Sequence, residues 1–176
     1  RSGLTKSFSS GISSYDDYVS TLPVGNHLVT AGNQWVSPID TSLPLQGYVD
    51  FDLGDTYAFD EIALWQVTLK DVTFLVADDP AGPWTGIGQF LPPSRVAWFG
   101  SYPIDRLDLG AEVQGRYLRM QINDCHKYSF SDTFAAANVG EIALRTKVVP
   151  EPGLAGMLAA GGLLLGGLAR RRSPGA

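Results

Sequence analysis

The octapeptide Gly-Tyr-Val-Asp-Phe-Asp-Leu-Gly, residues 47–54, sets Val49, Phe51 and Leu53 at one series of alternate positions and Tyr48, Asp50 and Asp52 at the other. A helix returns to the same face every 3.6 residues and a strand every two, so this stretch suits a strand with one apolar and one polar face. Similar runs recur along the chain. "EIALWQV" and "DVTFLVA" are separated by Thr68 to Lys70, "RYLRMQI" turns Leu118, Met120 and Ile122 inward, and "VGEIALR" closes the series. Asp78-Asp79-Pro80, Gly82-Pro83 and Pro92-Pro93 break the runs as loops, since proline fixes φ and cannot donate to a strand ladder. Long helical periodicity is absent. The pattern predicts an all-β, antiparallel sandwich.

With 176 residues and 44% hydrophobic content, the chain is long enough for one compact domain and a tail. Three of its 13 basic residues are Arg170, Arg171 and Arg172, so the remainder sets 10 basic against 18 acidic residues, a balance of -8. An acidic body argues against nucleic acid as a partner, because phosphates require a positive surface. Cys125 is the single cysteine, which excludes an intrachain disulfide and leaves the apolar core to hold the domain. The sequence starts at Arg1 without an initiator methionine or an apolar leader, so a mature or fragmentary form of a longer precursor is expected.

The tail reads differently. Residues 153–169 form a charge-free apolar run that would span about 25 Å as a helix, enough for a thin bilayer. Arg170 to Arg172 follow it, and arginines beside a span stay on the cytoplasmic side, which places the body outside. In front stands Pro150-Glu151-Pro152, kept extended by its two prolines. The expected organisation is residues 1–33 as an N-terminal segment and start of the β-domain, 34–146 as the sandwich, 147–152 as a linker, 153–169 as a single transmembrane helix and 170–176 as a basic cytoplasmic tail.

The order Pro-Glu-Pro, apolar helix, arginine cluster closely resembles the PEP-CTERM sorting signal of exported proteins in many Gram-negative bacteria. The resemblance implies that an exosortase-type enzyme processes the tail. On that reading the helix anchors the chain temporarily in the inner membrane, with the body in the periplasm, before transfer to the cell surface or extracellular matrix.

"NQWVS", "GYVDFDLGDTYAFDEIALW", "VTFLVADDPAGPWTGIGQF", "GRYLRMQI" and "VGEIAL", in that order, resemble the discoidin, or coagulation factor 5/8 type C, domain from about Gln34 to Leu144. The resemblance implies an eight-stranded jelly roll of the galactose-binding type and a recognition role without catalysis. It also assigns Trp35 to the core and Trp84 to a structural position, while Trp65 is expected in the core from its place in a strand. Many members join their ends by a disulfide, which this chain lacks. Members that bind sugar often hold a structural calcium through an acidic loop and the glutamate of the last strand. Glu141 matches that glutamate, whereas the loop reads "VTAGNQWVS" without its Asp. Calcium on Glu141 and the carbonyls near Ala31 therefore stands as an open expectation, because such ions require six to eight oxygens.

The residues offer no catalytic constellation. His27 and His126 are far apart and lie in no metal-binding spacing. Cys125 and His126 are neighbours, and neighbours on a strand point to opposite faces, so a buried or loop thiol is expected rather than a nucleophile and its base. Asp50, Asp52 and Asp55 read as a solvated outer face with a turn, and "GIGQF" has no strand-to-helix context for a phosphate loop. Three loops, "AGPWTG", "PPSRVAWFGSYP" and "NDCHKYSFSDTF", combine aromatics with polar groups, as a sugar's apolar face and hydroxyl rim demand. Their better candidates for a ligand site are Arg95, Trp98, Tyr102, His126 and Tyr128. The expected function is an exported, non-enzymatic module that binds glycan or exopolysaccharide; the alternative is a structural or matrix protein making protein contacts only.

Overall fold

The computed structural model describes residues 14–21, 27–28, 34–38, 44–95, 101–127 and 135–147. Ala31, Trp98, Tyr128 and everything after residue 147, including the Pro-Glu-Pro motif, the 153–169 run and the three arginines, lie outside the described residues. Among the described residues no helix is long and apolar enough to cross a membrane.

Among the described residues one helix, α1 (Tyr15–Thr21), precedes eight strands: β1 (His27–Leu28), β2 (Trp35–Val36), β3 (Gly47–Gln66), β4 (Leu69–Ala77), β5 (Thr85–Phe90), β6 (Ser101–Tyr102), β7 (Asp105–Cys125) and β8 (Asn138–Lys147). Six of them form an antiparallel sheet in the order β2-β8-β3-β7-β4-β5, and β1 pairs with β6. β3 and β7 are long enough to run through both layers of a sandwich. The first half of β3, Gly47 to Asp52, pairs with Ile122 to Tyr117, and its second half, from Tyr57 to Leu64, pairs back to Asp105. The ladder breaks between Asp52 and Tyr57, where Gly54 takes φ +86°, a left-handed conformation costly for any residue with a Cβ. The sequence suggested separate strands at 47–54 and 61–67; the irregularity lets one strand serve both layers instead.

The larger of two apolar clusters lies between the layers. Val49, Phe51 and Leu53 pack inward as their alternation predicts, against a cluster containing Phe59, Ile62, Phe74, Leu118 and Met120. Burying each such large side chain contributes about 2 kcal/mol. Where β7 passes β4, a Cβ on Gly115 would sit 2.9 Å from the Cβ of Val76, so this close approach depends on glycine. Trp65 is 1% exposed, buried as expected, but in a second apolar cluster with Tyr15, Tyr18 and Val19 of the N-terminal helix. Trp35 is 43% exposed, contrary to its expected place in the core. The reason is topological: β2 is a two-residue strand at the sheet edge, bonded on one side only.

The outer face of the second layer is covered by α1, which no long periodicity announces because it is only seven residues long. The Ser14 hydroxyl caps it by accepting from the Asp17 amide at 3.3 Å. So short a helix is marginal alone, and packing of Tyr15, Tyr18 and Val19 on Trp65, Val67 and Ala63 supplies its stability. A polar latch secures it. The Tyr15 hydroxyl donates to Glu61 Oε1 at 2.9 Å, while Arg106 grips the same carboxylate through two bonds and Arg145 Nη1 lies 3.1 Å from Oε2.

Candidate functional site

Several loops converge at one end of the sandwich and are tied together through their backbones. The Ser37 amide donates to Ala137 O, Val67 to Asn138 O, Arg95 to Val67 O and His126 to Thr68 O. The buried Gln66 at the end of β3 knits them further. Its Nε2 donates to Pro93 O at 3.1 Å and Asp105 Oδ2 at 2.9 Å, while its Oε1 accepts from the Leu69 amide at 3.0 Å. A rigid scaffold therefore carries the loop end, the place where β-sandwiches tend to present function.

A cleft of about 340 Å³ opens here, lined among others by Trp35, Ser37, Leu45, Gln46, Tyr48 and Ile122. Two of its walls are exposed aromatic rings, Trp35 at 43% and Tyr48 at 62%. Water-exposed rings of this size at one cleft are unusual placements for groups that gain by burial. Their neighbours are fixed. The Ser37 hydroxyl donates to Pro38 O at 3.0 Å and accepts from the Ala137 amide at 2.9 Å.

Tyr48 is held from behind. The Arg119 guanidinium carbon lies 4.0 Å from its ring centroid and 4.1 Å from that of Trp84, a stacking distance to both. Asp50 grips the same guanidinium through two bonds of 2.7 and 2.8 Å. The Arg119 hydrogen bond holds the Asp50 carboxyl below its ordinary value of 3.8, outweighing the opposing effect of partial burial. The half-buried Trp84 thus does stand in a structural position, against the arginine.

The loop residues singled out in the sequence are distributed unevenly. Arg95 and His126 both come to the β3–β4 turn, through their amides to Val67 O and Thr68 O. The Arg95 side chain is 11% exposed and ion-paired through Nη2 to Asp105 Oδ1, so it braces the loop instead of standing at the surface as expected. The partly exposed His126 ring has Nε2 3.5 Å from Pro92 O. Tyr102 lies on β6, in register with His27. Cys125 is buried, and burial pushes its thiol up to about 12, which suits a core residue and not a nucleophile.

Glu141 stands on β8 in register with Trp65, and burial raises its carboxyl above the ordinary 4.5. Among the described residues no three His, Cys, Asp or Glu gather as a metal site. Glu141 contributes one half-buried carboxylate, and the carbonyls near Ala31, the other expected calcium ligands, lie outside the described residues.

Sequence reasoning put Trp35 in the core and singled out neither Tyr48 nor Arg119 as a site residue. An aromatic residue on the polar face of an alternating strand was the available signal for Tyr48; nothing along the chain pairs it with Arg119.

No protein-family model and no curated protein sequence matches the chain. Solved structures do. Residues 298–461 of a protein assigned as a chitobiase, from Bacteroides thetaiotaomicron, superpose with a TM-score of 0.52 at 22% identity, covering 65% of this chain and 69% of that one. The carbohydrate-binding module CBM32-3 of a family 31 glycoside hydrolase from Clostridium perfringens gives 0.51 at 14% identity, over 65% and 75%. At these identities the likeness establishes fold alone: this chain shares the antiparallel β-sandwich of these two structures.

Proposed function

We propose that the chain is a non-catalytic glycan-binding module whose ligand lies in the cleft between Trp35 and Tyr48. The observation that carries this reading is the pair of exposed rings lining one cleft at the loop end. A sugar offers C–H groups that stack on aromatic faces and hydroxyls that bond to rim groups such as Gln46. The fold is compatible, since CBM32-3 is a carbohydrate-binding module. Fold by itself assigns no function, which is why the cleft has to bear the argument.

The tail motif supports a route to the exterior. Export, temporary anchoring in the inner membrane and processing by an exosortase-type enzyme would present the module at the cell surface, where exopolysaccharide is within reach.

The test is a glycan array probed with the full chain in a detergent lacking sugar headgroups, with calcium and again with chelator. Binding in either condition that Trp35→Ala abolishes supports the proposal. Silence across the array from folded protein would overturn it in favour of a structural role through protein contacts.

A further inference from the structure

The cleft does not end at Tyr48. In register, Tyr48 on β3 faces Gln121 on β7, Gln121 faces Thr73 on β4, and Thr73 faces Gln89 on β5. Directly opposed residues project from the same side of a sheet, so these four form one row across the outer face of the first layer. Three interstrand spacings give the row a length of about 14 Å.

The polar groups of this row are aligned by one another. Gln89 Nε2 donates to both oxygens of Asp71 at 2.9 and 3.1 Å, Asn123 Nδ2 donates to Asp71 at 3.0 Å and to the Thr73 hydroxyl at 2.9 Å, and Gln121 Nε2 donates to Asn123 Oδ1 at 3.1 Å. Gln89 and Gln121 are exposed, and a primary amide has two donors and two acceptor positions, more than these bonds use. The arrangement is a prealigned strip of hydroxyl-binding groups that begins at the cleft's own aromatic.

Charge decides what kind of chain suits it. Arg119 and Arg116 are each held fork to fork by Asp50 and Asp52, and Lys70 pairs with Asp124. An anionic sugar would have to displace one of these carboxylates, and Asp71, held by neutral amides, would repel it. A neutral glycan meets neither obstacle.

We propose that this row is an extended subsite for a neutral, linear polysaccharide, which enters the Trp35–Tyr48 cleft and continues across the strands with Tyr48 as the shared platform. The inference rests on the glycan reading of the cleft and adds to it the ligand's length and charge class.

The test is an array of neutral linear oligosaccharides of several backbones, each from disaccharide to hexasaccharide, with uronate oligomers of matching lengths. The expected result is affinity that rises at least ten-fold with length in a neutral series. Gln89→Ala combined with Gln121→Ala, both surface changes, should remove that gain and keep disaccharide binding, whereas Trp35→Ala should remove both. Equal affinity for short and long oligomers, tighter binding of uronates, or indifference to the double substitution would overturn the extension and leave the cleft reading standing. Absence of binding to every series would overturn both.

Discussion

The guanidinium of Arg119 stacks at 4.0 Å on the ring of Tyr48 while its edge is locked by the carboxylate of Asp50. One face of a 62% exposed ring is thereby fixed, and a surface aromatic gains the rigidity of a platform. A preorganised platform spares the ligand part of the ordering cost of binding.

Arg119→Ala should therefore weaken glycan binding about five-fold, on the order of 1 kcal/mol, the scale of a cation–π contact at a partly exposed site. Thermal stability should fall only modestly, by no more than about 1 kcal/mol, because the ion pair it loses is partly exposed. Titration calorimetry of the variant, beside a melting curve, checks both halves.

Core and cleft should separate cleanly in unfolding experiments. Phe74→Ala empties a fully buried site at the centre of the core and should cost roughly 3–5 kcal/mol. Trp35→Ala, at an edge strand, should cost less than about 1 kcal/mol. Urea denaturation of the two variants measures the difference, and a large loss for Trp35 would return that residue to the core.

Alternation within residues 47–54 disclosed both faces of β3, with Phe51 inward and Tyr48 outward. It could not disclose the partner of either face, because period two fixes which side a residue points to and leaves the register between strands open. Arg119 lies 69 residues beyond Asp50, and their pairing exists only once β3 and β7 are in register. Trp35 was misplaced for a related reason: its burial depends on how much sheet lies beyond β2, and a tryptophan in sequence does not report that it sits at an edge. Arg95 belongs to the same class, since its partner Asp105 stands ten residues further on and composition does not reveal that the two meet.

Acid should loosen the latch of α1. Burial raises the Glu61 carboxyl, but bonds from Arg106 and Tyr15 together with the Arg106 and Arg145 charges outweigh it, leaving a net shift below 4.5. A depressed acid stabilises the fold above its unfolded value, and that contribution disappears as pH falls through the folded value. Stability should fall with pH below about 4.5, and Glu61→Gln should lose roughly 2 kcal/mol at pH 7 and show a flatter acid limb. Glu141 has the opposite sign. Its raised value means that ionisation at neutral pH opposes folding, so Glu141→Gln should be neutral or stabilising there. Chemical denaturation between pH 3 and 7, a window flanking the carboxylate range, distinguishes the two.

Replacing Glu151 together with Pro150 and Pro152 should leave the body folded and block processing of the tail, so that full-length chain accumulates in the inner membrane. Fractionation and immunoblotting in a host that carries an exosortase-type enzyme read this directly; unchanged release would discard the sorting role.

The most direct test of the central claim is the dissociation constant of the full chain for its strongest neutral glycan, measured for the wild type, Trp35→Ala and Tyr48→Ala. The account predicts that each substitution weakens binding at least ten-fold, about 1.4 kcal/mol, with unfolding free energy nearly unchanged. Wild-type affinity in both variants would contradict it, because a ligand indifferent to both rings does not lie in the cleft they line.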